Sequence, residues 1–144
     1  MNVLLSINPQ HVENIFSGIK RFEFRRKVFA RNDVQTVLIY STRPVGKLVG
    51  EFDIAEIVEG TPDQVWDVAH AMAGISRCFY DSYFGKREVA FALRIGDVRI
   101  YDEPIDPMDV IDNFTPPQSY MYVRGSGHQL SRANAGLAQM ELAI

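Results

Sequence analysis

The sequence predicts an α+β fold, a small mixed β-barrel, from three observations. Segments with a side-chain period of two recur along the chain, around residues 20–28, 36–42, 47–58 and 89–100. One stretch of helical period separates the first two strands, and a longer helical insertion separates the fourth from the fifth. Helices placed at two points among many strands, without strict strand–helix alternation, fit an α+β layer architecture better than a doubly wound sheet. The chain has 144 residues, 47% of them hydrophobic and 23% charged, which suits one domain with a core of its own. Its single cysteine, Cys78, rules out an internal disulfide.

Val3–Ile7 reads as the first strand, an apolar run interrupted only by Ser6. Asn8-Pro9 then supplies an N-cap and a first helical residue, and Val12, Ile15, Phe16 and Ile19 give the helix its apolar face. Gly18 suits the left-handed residue that ends such a helix. From Lys20 to Val28 the period changes to two: Phe22 and Phe24 share one face, and Arg21, Glu23 and Arg25 share the other, expected to be wet. Thr36–Thr42 is a third strand, stopped by the turn Arg43-Pro44-Val45-Gly46. Lys47–Val58 is a fourth, and its apolar phase slips near Ala55, which predicts a β-bulge there.

Thr61-Pro62-Asp63-Gln64 has the form of a capping box, and Val65, Trp66, Ala69 and Met72 are expected to face the core. A second short helix starts at Ser76, carries Phe79, Tyr80, Tyr83 and Phe84, and closes at Gly85. Val89, Phe91, Leu93 and Ile95 alternate strictly and continue through Gly96 to Val98 and Ile100, the clearest strand of all. Pro104–Asn113 reads as a loop with one helical turn, and Tyr120–Val123 as a closing strand. Gly125-Ser126-Gly127 reads as a hinge before a helical segment over residues 128–142, with Leu130, Ala133, Leu137, Met140 and Ile144 at heptad-like spacing. The expected division is therefore residues 1–124 as the domain and 125–144 as a C-terminal helix.

Several function classes lack their signatures. The chain has no GxGxxG, Walker A, GxSxG or HExxH string. His11, His70 and His128 lie far apart without paired cysteines, so neither metal nor cofactor is expected, and His11 reads as a surface residue. No apolar run approaches the roughly 18 residues of a membrane span, and a cytoplasmic location follows by default.

Charge is distributed unevenly. The net charge is −3, yet residues 20–31 hold Lys20, Arg21, Arg25, Arg26, Lys27 and Arg31 with Glu23 as their only acid, a local +5 that leaves −8 elsewhere. Such a stripe attracts anions at one place, or simply discourages edge pairing. Within it, Lys20 sits at the helix–strand joint, and Glu23 and Arg25 project from one strand face. A carboxylate among cations accepts from Arg25 or from a donor on a base edge. The same spacing equally fits an exposed salt bridge worth about 0–1 kcal/mol.

Ser6-Ile7-Asn8-Pro9 followed by Gly18-x-Lys20-x-x-Glu23-x-Arg25 resembles the opening of the ASCH domains, members of the PUA-like superfamily of small β-barrels. Tyr40-Ser41-Thr42, Val49-Gly50-Glu51-Phe52, Tyr83-Phe84-Gly85-Lys86 and Pro116-Pro117-Gln118-Ser119-Tyr120 resemble later stretches of the same family. The likeness spans residues 2 to about 123, and Asn8 departs from it where lysine is frequent. The resemblance implies a cleft that holds RNA or a nucleotide-like molecule, lined by Ser6, Lys20, Glu23, Arg25, Arg26, Tyr40, Ser41, Tyr83, Gln118, Ser119 and Tyr120. Cations would meet phosphate, the carboxylate would meet base donors, and aromatic rings would stack. The resemblance also implies an alternative to binding alone, a small hydrolase using Lys20 and Glu23, either a ribonuclease or a modified-nucleoside amidohydrolase. The related amidohydrolases place a Thr nucleophile three residues after the Lys, where this chain has Glu23. A third alternative is a regulatory homodimer formed through the C-terminal helix.

Overall fold

The structure, a computed structural model, describes residues 1–130. Strand β1 (Asn2–Ile7) buries Val3, Leu5 and Ile7 in one cluster and Leu4 in another, as a central strand covered on both faces must. Asn8 caps helix α1 (Pro9–Phe16) by accepting from the Gln10 N–H at 3.0 Å, and Pro9 opens it. Gly18, at φ 84°, turns the chain out of the helix towards β2 (Phe22–Arg25).

Strands β3 (Thr36–Ser41) and β4 (Lys47–Gly60) follow. Helix α2 (Pro62–Ala69) begins with the expected capping box: the Thr61 hydroxyl accepts from Gln64 N–H, and the Gln64 side chain accepts from Thr61 N–H. A 3-10 turn (His70–Met72) then leads to α3 (Arg77–Phe84), capped by Ser76. The 16-residue β5 (Ala90–Ile105), the single-turn helix α4 (Pro107–Val110) and the short β6 (Met121–Val123) complete the sheet and its cover.

The strands form one sheet in the order β2-β5-β4-β3-β1-β6, with β1 and β3 parallel and the other pairs antiparallel. The barrel expected from the sequence is not closed by strand pairing, because β2 and β6 stand as the two edges. The β4–β5 pair is a long ribbon from Leu48↔Ile105 to Gly60↔Ala90. Its register shifts between Phe52 and Ile54 and between Ile54 and Glu56, beside the predicted bulge. One cluster packs Val12 and Ile15 of α1 onto Val3, Leu5, Ile39, Phe52 and Ile95. A second sets Phe22 and Phe24 against Val65, Ala69, Tyr80 and Phe84 of the helical insertion. A third joins Leu4, Leu38, Tyr40 and Leu48 to Phe114 and Val123.

Other sequence expectations change as well. Met72 is half-exposed, because the tighter 3-10 turn after Ala69 rotates it off the buried stripe. The charged face of β2 is not wet: Glu23 is buried, and Arg21 and Arg25 on either side of it are half-buried. The stretch read as a hinge is docked. Asn2 donates to the Gly125 carbonyl, and the buried Glu51 carboxylate accepts from Gly127 N–H, the Tyr101 hydroxyl and the Arg99 guanidinium. Residues 127–130 form a helical turn, started by reciprocal bonds between Ser126 and Gln129. The remainder of the expected C-terminal helix, with Ala133, Leu137, Met140 and Ile144 and the homodimer contact assigned to it, lies outside the described residues. Among the described residues, no helix is long and apolar enough to cross a membrane.

Candidate ligand cavity and its basic rim

Lys20 follows directly from the end of α1, where its N–H donates to the Asn14 carbonyl at 2.9 Å. Instead of reaching over a strand edge, its side chain runs inward and is 2% exposed. The connection between α2 and α3 lies against it. The ammonium donates to the Ala73 carbonyl at 2.9 Å and stands 4.7 Å over the Phe24 ring. Gly74, at φ 69°, makes this packing feasible, since a Cβ there would lie 2.5 Å from the Lys20 Cβ. Burial lowers the Lys20 pKa from its ordinary value, and the nearby Glu23 opposes that shift.

Glu23, 6% exposed, points into a cavity of about 160 Å³ that it shares with Ser6, His11, Lys20, Ile75 and Tyr83, among others. Arg25 stands 3.8 Å from Glu23 Oε1, an ion pair without hydrogen-bond contact. Glu23 Oε2 is buried without a hydrogen-bond partner. Among the described residues one other buried side-chain atom shares that condition, His11 Nδ1, and His11 lines the same cavity. Burial, then the Lys20 charge, holds the His11 imidazole below its ordinary value, so neutral imidazole is the resting form near pH 7. Unpaired buried polar atoms cost about 1–3 kcal/mol each, and two in one cavity mark a place where a ligand's polar groups fit.

Arg25 serves two purposes. Its guanidinium donates to the Ser6 carbonyl and to the Ser119 carbonyl, while the Ser6 hydroxyl donates to the Pro117 carbonyl at 2.8 Å. These bonds tie the loop entering β6 to the ends of β1 and β2, and so bring Gln118 and Ser119 to the cleft. There a second depression, of about 390 Å³, adjoins the cavity through Ser6, Arg25 and Tyr83 and is rimmed by Arg26, Lys27 and Arg87. Arg26 lies 4.3 Å over the Tyr83 ring and donates to the Tyr83 carbonyl. Burial raises the Tyr83 phenol above its ordinary pKa.

The local +5 is thus thinner at the cleft than the sequence suggests. Lys20 is buried, Arg21 donates to the Ile95 carbonyl, Arg25 is held by two carbonyls, and Arg31 is paired with Asp33, whose carboxyl it holds down at about 2. Arg26 and Lys27 supply the rim, joined by Arg87 from beyond α3.

The structure brings Ser6, Lys20, Glu23, Arg25, Arg26, Tyr83, Gln118 and Ser119 around these two depressions. It does not bring Tyr40, Ser41 or Tyr120 to them. Tyr40 packs edge-on against Phe114 in the third cluster, because Leu38 and Tyr40 share the strand face opposite the α1 side. Ser41 is buried at the end of β3 beside Ile7, and Tyr120 packs on Phe29 and Tyr122. Sequence reasoning missed His11, Phe79 and Arg87. A signal for His11 existed: it lies four residues before Ile15, on the stripe that α1 buries.

Comparison with known proteins agrees with this architecture. The profile of the ASCH domain matches residues 5–99. The chain is similar to the "ASCH domain-containing ribonuclease" of Zymomonas mobilis subsp. mobilis, 32% identical over 127 residues that cover 84% of this chain and 83% of the other. The crystal structure of ASCH from Zymomonas mobilis superposes with a TM-score of 0.82 at 30% identity, covering 92% of this chain and 94% of that one. The N-terminal domain of McrB from Staphylothermus marinus, at 13% identity and a TM-score of 0.57, shares the fold alone.

Proposed function

Because the chain belongs to the ASCH domain family, we propose that it binds RNA or a nucleotide-like ligand, with a base in the Glu23 cavity and phosphate on the Arg26, Lys27 and Arg87 rim. The observation that carries this reading is the buried, unpartnered Glu23 Oε2. A carboxylate oxygen there is an acceptor waiting for an N–H, and base edges supply such donors. The ribonuclease name of the Zymomonas relative supports an RNA-related role. On the same reading the sheet is a PUA-like barrel opened between β2 and β6, with the Arg25 guanidinium spanning the gap. Residues 1–124 are the binding unit.

Arg25 and Lys20 are poor probes of this site, since both hold the fold together. The informative substitutions are Glu23→Gln, which removes one acceptor, and Lys27→Ala on the exposed rim. Titrating labelled single-stranded RNA at several salt concentrations should show Glu23→Gln binding about tenfold more weakly, the scale of one charged hydrogen bond. Lys27→Ala should lower the salt slope by about 0.7, the value for one phosphate contact on a single strand. Parental affinity and slope in both variants would reject the proposed surface.

A second reading, RNA cleavage, is favoured by His11 joining Lys20 and Glu23 in one cavity. A neutral imidazole is a ready base for a 2′-hydroxyl proton. The freed O2′ attacks phosphorus, the bond to the 5′-oxygen breaks, and the His11 imidazolium returns its proton through water to that leaving oxygen while cations hold the phosphoryl charge. Turnover of end-labelled RNA that disappears in His11→Ala separates this reading from binding alone.

A further inference from the structure

Ile75, Phe79, Tyr83 and Arg87 recur every four residues and form one wall of three adjoining depressions. A third depression, of about 320 Å³, lies at the start of α3 and shares Asn8, His11, Ile75 and Phe79 with the Glu23 cavity. The cavity in turn leads through Tyr83 and Arg25 to the cationic rim. Along this wall the chemistry changes in order: an aromatic and neutral-polar end, an acceptor-bearing cavity in the middle, and three cations at the far end.

Phe79 is the outlier on α3. Its neighbours Tyr80 and Phe84 are buried in the second cluster, whereas Phe79 is 49% exposed. Its ring is nevertheless held in place, meeting the His11 ring edge-on at 5.5 Å. Such a fixed, half-bare aromatic at the mouth of the Glu23 cavity has the form of a stacking platform.

Building on the function proposed above, we propose that Phe79 is the stacking site for a second unpaired base, next to the one that enters the Glu23 cavity. The ligand is then a single-stranded polynucleotide lying across all three depressions, and not a free nucleotide. A mononucleotide fills the cavity and places its phosphate on the rim, so that it meets Phe79 from the cavity side alone and leaves the third depression empty. Spacing agrees: one four-residue step from Phe79 to Tyr83 advances about 6 Å along the helix. Stacked nucleotides in one strand advance about 3.4 Å, so adjacent bases on this wall are splayed apart, one inward and one onto Phe79. A duplex, whose bases are paired and stacked, does not fit the arrangement.

The test compares Phe79→Ala and Phe79→Trp with the parent, using a labelled single-stranded RNA octamer of mixed sequence, its duplex, and the four nucleoside 5′-monophosphates as competitors. Phe79→Ala should bind the octamer roughly tenfold more weakly, the scale of one base–aromatic stack. Phe79→Trp should restore affinity, and Phe79→Ala should weaken binding of the octamer several-fold more than it weakens binding of the monophosphates. The duplex should compete poorly. Unchanged octamer affinity in Phe79→Ala, a parallel loss of monophosphate affinity, or a duplex that competes as well as the single strand would overturn the assignment. Failure of the broader reading looks different: there the parent binds no RNA, or Glu23→Gln binds as tightly as the parent.

Discussion

Lys20 and His11 carry ionisable groups into a part of the molecule that water reaches poorly, and each leaves a measurable trace. The packing of Lys20 depends on Gly74, whose positive φ and missing Cβ let the α2–α3 connection lie on the lysine stem. Gly74→Ala should lower stability by about 2 kcal/mol, since the backbone strain and the contact add. An unchanged urea midpoint would contradict that packing. His11 gives a pH signature. Its folded pKa lies below the ordinary 6.5, so on acidification the unfolded chain takes up the proton first. Stability should therefore fall as pH drops below 6.5 and level off once pH passes the folded value. The Asp53 carboxyl, lowered by Arg99 and Thr36, adds its own loss only below 3.8. Urea unfolding at pH 7.5 and 5.5 should show a decline in the parent that is smaller in His11→Gln.

The elements were mostly legible because each boundary has a local cause. Asn8-Pro9, the Thr61/Gln64 box and Ser76 start their helices by side-chain capping, and strict alternation marks β5. The phase slip at Ala55 announced a bulge because it reflects the same register shift seen in the β4–β5 pairing. What the pattern did not give was the environment of β2. Alternation tells that Glu23 opposes Phe22 and Phe24, but only the placement of α1 and the α2–α3 insertion decides whether that second face meets water. For the same reason Tyr40 looked available in a string and is packed on Phe114 in space. Arg25 is the tertiary link that makes β2 more than an edge. Arg25→Ala should cost about 2–3 kcal/mol, the scale of lost charged hydrogen bonds. Arg25→Lys should restore little, because one ammonium does not reproduce a planar fork reaching two carbonyls. Amide exchange should quicken across residues 117–123 while the β4–β5 ribbon stays protected. Uniform quickening across both would argue against a local tie.

At the scale of the molecule, a buried carboxylate fastens the last described turn to the sheet. Glu51 holds Arg99, Tyr101 and Gly127 together, and the site has no room for a Cβ at Gly127 beside the Tyr101 hydroxyl. Glu51→Ala would leave the Tyr101 hydroxyl and the Gly127 N–H buried without their acceptor, a loss of about 3 kcal/mol. Brief digestion with a non-specific protease should then cut near residues 124–130 in the variant and spare that region in the parent. Three of the long-range ties among the described residues, Lys20 on Ala73, Arg25 on Ser119 and Glu51 on Gly127, each use a charged side chain to grip backbone. The same division of labour runs through Gly18-x-Lys20-x-x-Glu23-x-Arg25. Two of its charged letters secure architecture, and only the glutamate keeps an oxygen uncommitted. A sequence that preserved the lysine and arginine but altered the glutamate would still spell out this shape, with the cavity's one unclaimed carboxylate oxygen gone.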